Sequence, residues 1–287
     1  MQKKTTRALV ALTLAACAHR GLVGEPEPML TGAIDVGELA ASPYNQWFES
    51  GFDAYAADPA TVEALQQAIG DSEVTVFFGT WCGDSQREVP RMARILSELS
   101  LKAQWIAVDH VDGAYKRSPG GEEKGLEIYR VPTFIVRQGG RELGRIVEFP
   151  VVSLEEDLLA VLRGSTYTAN YRSYPQVRSW LDDGRLSDAS VSAETLATEL
   201  KQALRSEGEL AAAAKVMVDR GQVREGLKLH RVNCLLHRES ATCRLRLATA
   251  LDATGDREGA RGEAERARQL NRDPELAPEI MKLLEPR

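Results

Sequence analysis

Apolar residues along this chain fall into short blocks, and the spacing inside each block indicates its element. Over residues 44–70 the spacing is helical. Trp47, Phe48, Phe52 and Tyr55 share a face, and Asp58-Pro59 opens a second helix with Asp as N-cap and Pro at the first helical position. Residues 74–78, apolar but for Thr75, form a short run of buried-strand length. From 85 to 99, Val89, Met92, Ile95, Leu96 and Leu99 recur at helical intervals, with Pro90 expected to kink the helix. A strand is predicted over 104–108 and a polar, Gly-rich connection over 109–125. A further strand covers 131–136, Gly139-Gly140 makes a hairpin turn, and 145–149 is the return strand. Ser153, with Glu156 three residues on, has the pattern of a capping box for a helix reaching 162. The predicted order is β-α-β, hairpin, helix.

Beyond 166 the pattern changes. Tyr167, Tyr171, Tyr174, Pro175 and a Ser-rich turn at 188–192 suggest a connector with helical pieces over 166–206. From 207 to 287 the chain is rich in Ala, Leu and Arg and helical throughout. Gly221 and Gly255 stand 34 residues apart, as do Leu236 and Leu270. This period resembles that of tetratricopeptide repeats. Residues 241–274 resemble the family well, with Leu247, Ala248 and Leu251 before the Gly255-Asp256 turn and Ala260, Ala264, Ala267 and Leu270 after it. Residues 207–240 depart from it, with Gly226 and His230 where Ala or an aromatic is typical. The resemblance implies a surface that docks protein partners; a plain helical cap is the alternative. It also places Cys234 late in one repeat and Cys243 early in the next, close in space, so a disulfide and two buried thiols are both open. His230 and His237 are expected on the surface or in a groove.

The N-terminus adds a location. Lys3, Lys4 and Arg7 precede an apolar run over 8–16, of export-signal length and too short to span a bilayer. It ends in Leu14-Ala15-Ala16-Cys17, which resembles the lipobox of bacterial lipoproteins. That resemblance implies a signal peptide over 1–17, lipidation at Cys17, and a lipid anchor in the bacterial cell envelope. Ala18 leaves inner and outer membrane open. An ordinary secretory signal is the alternative. Residues 18–43, with repeated Gly and Pro, are expected to be a tether. The net charge of −6 in 287 residues, with no long basic run, argues against a nucleic-acid partner. No set of Cys, His or carboxylates has zinc-site spacing.

The candidate chemistry sits where the strand at 74–78 meets the helix at 85–99, in Trp81-Cys82-Gly83-Asp84-Ser85. Together with Val131-Pro132-Thr133 some fifty residues on, this segment resembles the active site of thioredoxin-fold proteins over about residues 60–165. The implied architecture is a thioredoxin-like α/β domain (44–165) followed by an all-α helical-repeat domain. The resemblance makes Cys82 the nucleophile of thiol–disulfide exchange and Trp81 its neighbour. It makes Val131-Pro132-Thr133 a cis-proline loop facing the sulfur, and Gly83, Asp84, Val131 and Thr133 substrate contacts.

A thiol at a helix N-terminus is favoured as thiolate by the unpaired N–H groups and the dipole there. Gly83 is expected to permit the turn. Ser85 replaces the family's second cysteine; its hydroxyl is expected to turn toward the sulfur, but it cannot displace a mixed disulfide, so release needs an external thiol. Val76 stands where the family has a buried carboxylate for proton transfer. Asp84 reads as a solvated first-turn acid and His110 as a solvated loop residue. Protein thiols or disulfides are the implied substrates, and no cofactor is implied. The rival reading is a fold that has lost its chemistry and serves as a binding platform, since both Val76 and Ser85 are losses.

Overall fold

The computed structural model describes residues 28–111, 113–200 and 206–285; the segment expected to be an export signal, with Cys17, lies outside them. Five strands, β1 (Gly32–Ile34), β2 (Glu73–Phe78), β3 (Ala103–Ala107), β4 (Thr133–Gln138) and β5 (Arg141–Val147), form one mixed sheet in the order β1-β3-β2-β4-β5. Strands β2 and β3 are parallel; every other neighbouring pair is antiparallel. A parallel pair needs a crossover, which helix α3 (Gly83–Leu99) supplies, whereas Gly139 and Gly140, both with positive φ, close the β4–β5 hairpin.

The pleat sorts side chains by period two. Val74, Val76 and Phe78 enter a core with Met92, Ile95 and Leu158, formed with helices α1 (Asn45–Ala54), α2 (Pro59–Ala68), α3 and α4 (Leu154–Leu162). Phe77 faces the other way, into a cluster with Ile106, Val108, Ile128, Val131 and Ile135, and Trp81 and Cys82 pack against it. The N-caps form at both positions, with only the serine half of the expected capping box at Ser153. Asp58 accepts from Thr61 N–H at 2.9 Å and Ser153 Oγ from Glu156 N–H at 3.2 Å. Helix α3 runs through Pro90, which lies so near α1 that a Cβ on Gly51 would be 2.6 Å from its ring.

Two segments differ from expectation. The tether expected over 18–43 gives way to structure at Gly32, where β1 pairs with β3 in the register Gly32↔Ala107 and Leu39 is fully buried. Three residues covering a strand edge satisfy backbone groups without leaving a readable periodicity. The described residues of the connector expected over 166–206 belong to the helical core. Helices α5 (Tyr174–Asp182) and α6 (Ala193–Leu200) bring Val177, Trp180 and Leu196 against Leu210 and Leu229 of α7 (Glu207–Asp219) and α8 (Val223–Leu236).

Helices α9 (Ala241–Ala253), α10 (Arg257–Leu270) and α11 (Ala277–Leu284) complete the chain. Gly221 and Gly255 hold φ of 85° and 92° just past α7 and α9, the left-handed position that ends a helix most cheaply with glycine. The two halves are bound together by Arg117 donating to Asp219 O (2.6 Å) and Arg130 to Gly208 O (2.7 Å), while within the helical half Ser173 N and Oγ donate to the buried Glu209 carboxylate of α7 (2.9 and 2.7 Å).

Candidate functional site

Cys82 is the N-cap of α3, in extended conformation, and half-buried. Its position follows from the segment before it: β2 ends at Phe78, and Gly79-Thr80-Trp81 turns the chain into the helix. Gly79 makes that turn compact, because a Cβ there would lie 2.5 Å from the Trp81 ring. The indole is pinned by Nε1 donating to Val108 O at 2.9 Å, with His110 and Tyr115 packing near it at ring distances of 5.4 and 6.1 Å. His110, half exposed, thus contacts Trp81.

The thiol of Cys82 donates to Val131 O at 3.3 Å. The Val131–Pro132 peptide is cis, so the Trp81-Cys82 turn and the 131–133 loop meet as the resemblance implied. The contact is made by backbone: the side chains of Val131 and Thr133 are buried, and Thr133 Oγ1 is committed to Arg130 O at 2.8 Å. Glu148 N–H donates to Pro132 O at 2.7 Å, and its carboxylate holds Arg130 at 3.0 Å.

Other expected roles shift. Ser85 is fully buried, and its hydroxyl accepts from Gly79 N–H at 3.2 Å; the hydrogen bond it makes is to the turn rather than to sulfur. Gly83 is the first residue of α3 without a positive φ, and the space beside it is open, so it leaves an approach to Cys82 clear instead of shaping a turn. Asp84 is paired with Arg87 at 2.7 Å, which offsets its charge near the sulfur. Val76 is fully buried in the helix-side core.

Sequence reasoning missed a charged cluster beside the site. Lys116 lies within the polar connection yet is only 3% exposed; its Nζ is 2.7 Å from Tyr115 Oη and 3.9 Å from the centre of that ring. Burial, and then Arg130, push its pKa down to about 7. Burial also raises Glu148, opposed by Arg130. No periodicity marks these residues, because single buried charges in irregular backbone carry none. Lys116 and Arg130 form one wall of a cavity of about 740 Å³ whose other walls include Ala211, Lys215, His230 and Arg246 from the helical half. His230, expected on the surface or in a groove, lines this cavity and is buried, and burial lowers its pKa to about 4.

Cys234 and Cys243 are brought together as expected and are both thiols, buried among Leu247, Leu251 and Ala260. Cys243 donates to Glu207 Oε2 at 3.4 Å, and its hydrogen bond with Cys234 raises its pKa. Among the described residues no group of three or more His, Cys, Asp or Glu could hold a metal ion, and no helix is long and apolar enough to cross a membrane. Comparison with protein-family models, with curated proteins and with solved structures finds no match to this chain.

Proposed function

We propose that this protein is a thioredoxin-like thiol–disulfide exchange protein of the bacterial cell envelope, anchored by lipid at Cys17 and acting through Cys82. The observation that carries the reading is the placement of one half-buried thiol at the N-cap of α3 against the Val131 carbonyl. In the reaction, the Cys82 thiolate attacks one sulfur of a partner disulfide. A Cys82–partner S–S bond forms, the old S–S bond breaks, and its electron pair leaves on the other partner sulfur. Ser85 cannot resolve that mixed disulfide, so an external thiol attacks it and restores Cys82. The paired helices α7–α8 and α9–α10, with their 34-residue recurrence, are read as tetratricopeptide-like units that dock the protein carrying the disulfide.

Trapping tests this reading. Envelope extracts quenched with acid and alkylated should show Cys82-dependent mixed disulfides with the wild type and none with Cys82→Ala. If the wild type traps nothing and its Cys82 alkylates no faster than a free cysteine, the exchange reading fails. The bond that Ser85 accepts from Gly79 N–H gives the serine a structural role in the turn, which favours a second reading as a non-catalytic platform. Recovery of the same partners by wild type and Cys82→Ala, with no mixed disulfide in either, would select it.

A further inference from the structure

The cavity between the halves, about 740 Å³, falls in the size range of small-ligand sites, roughly 300–1,000 Å³. Its walls hold hydrogen-bond donors that lack acceptors. Lys116 stands in left-handed backbone, φ 55°, held by its N–H to Asp109 O at 2.8 Å. Its buried Nζ donates to Tyr115 Oη at 2.7 Å, and among the described residues it makes no ion pair. The Tyr115 hydroxyl accepts that bond and donates to no acceptor among the described residues. Lys215 of α7 reaches the same ring, its Nζ 4.9 Å from the centre against 3.9 Å for Lys116. Both halves thus direct an ammonium at one tyrosine. On α8, the His230 imidazole is 4% exposed, lines the cavity and makes no hydrogen bond or ion pair among the described residues. Buried polar groups without partners are rare in folded proteins, and a bound acceptor is what these donors lack.

The carboxylates around the cavity are committed or exposed. Glu148 pairs with Arg130 at 3.0 Å, Asp219 with Lys215 at 3.0 Å and Glu207 with Arg246 at 3.6 Å, while Glu279 faces solvent. The cation left without a carboxylate is Lys116, and Arg220 donates to its carbonyl at 3.2 Å. One uncompensated ammonium calls for one negative charge. One ammonium and one hydroxyl donor match the two oxygens of a single carboxylate, whereas a phosphate brings more oxygens and more charge than they can satisfy. Much of the remaining wall is apolar and small: Ala211 and Ala212 of α7, Leu245, Ala250 and Ala253 of α9, and Leu276 ahead of α11. Short side chains there leave room for a hydrocarbon body.

We propose that this cavity binds a small monocarboxylate with an apolar body. The carboxylate accepts from Lys116 Nζ and Tyr115 Oη, and the body lies along α7 and α9. No covalent bond is made or broken, and the site stands independently of the exchange chemistry at Cys82.

Two measurements on the full chain test this. In the first, decanoate, acetate, decyl phosphate and decyltrimethylammonium are titrated into the protein by calorimetry at pH 7. Decanoate should bind with a Kd on the order of 10–100 µM. Acetate, which lacks the body, should bind at least about tenfold more weakly, and the decyltrimethylammonium cation should not bind. Lys116→Met should weaken decanoate about tenfold or more, the usual loss for a hydrogen bond to a charged group. In the second, the lysine side chains of the wild type are labelled with carbon-13 and titrated by NMR with and without saturating decanoate. A carboxylate beside an ammonium favours its charged form, so the Lys116 midpoint should rise. That measurement decides the matter if Lys116→Met does not fold. Decanoate that binds no tighter than decyltrimethylammonium, that binds a folded Lys116→Met at full strength, or that leaves the Lys116 midpoint unmoved overturns the site. Decyl phosphate binding tighter than decanoate overturns the carboxylate assignment.

Discussion

Gly79 owes its place to the indole of Trp81, since any Cβ there would press into the ring. Gly79→Ala should therefore cost about 1–3 kcal/mol in urea unfolding, the range for overpacking a filled site. Most of that cost should disappear when Trp81→Ala is made in the same chain, because the two changes share one contact. Strictly additive costs would show that the ring is not what excludes the methyl. Ser85 belongs to the same turn. Its hydroxyl is the partner of the Gly79 amide, so Ser85→Ala leaves a buried N–H unpaired and should destabilise by roughly 1–2 kcal/mol. An unchanged unfolding midpoint would mean that another group takes that N–H. The serine that looks in sequence like a lost thiol thus has structural work of its own.

Among the elements, Gly226 explains why α8 departs from the expected small-residue pattern. A Cβ there would lie 2.7 Å from Ala214 O and 2.6 Å from Val218 Cγ2, so α8 crosses α7 at backbone contact. Gly226→Ala gains helix propensity, about 1 kcal/mol, but must push the helices apart. A net loss of about 1–2 kcal/mol is expected in thermal or urea unfolding; a gain would place α8 farther from α7. Elements with strong local signals were legible in sequence: β2 from its apolar run, α2 and α4 from Asp58 and Ser153, and the hairpin from Gly139-Gly140. Those held by long-range partners were not. Strand β1 exists through its pairing with β3, and α5 and α6 through burial of Trp180 and Leu196 against α7 and α8. The site divides the same way. The Trp81-Cys82 turn and the Val131-Pro132 step are local motifs, whereas Lys116 is turned inward against Tyr115 from a left-handed residue in a stretch whose composition looks solvated.

Across the whole molecule, two buried bases line one cavity between the halves, and each ties stability to pH. His230 titrates near 4 in the folded chain because burial, then Arg246 and Lys215, disfavour its cation; unfolded, it titrates near 6.5. Between those values the unfolded chain holds the extra proton, so acid draws the protein toward unfolding. The contribution is complete above pH 6.5, declines as pH falls through about 4, and is constant well below, amounting to roughly 3 kcal/mol. Lys116 acts by the same sign in a higher window, from about 7 to its unfolded value of 10.5. There stability rises with pH as the unfolded chain gives up a proton that the folded chain already lacks. Carboxylates titrate in the lower window too, so the comparison must be with a variant that alters only the imidazole. His230→Leu fills similar space without a titrating group. Its urea-unfolding free energy relative to wild type should therefore improve by roughly 2–3 kcal/mol as pH drops from 7 to 4, whatever offset the substitution adds at pH 7. Parallel profiles for the two proteins would show that His230 protonates without unfolding and that the cavity between the halves admits water and charge. An improvement confined to the His230 window would show instead that this cavity stays closed to protons while the protein is folded.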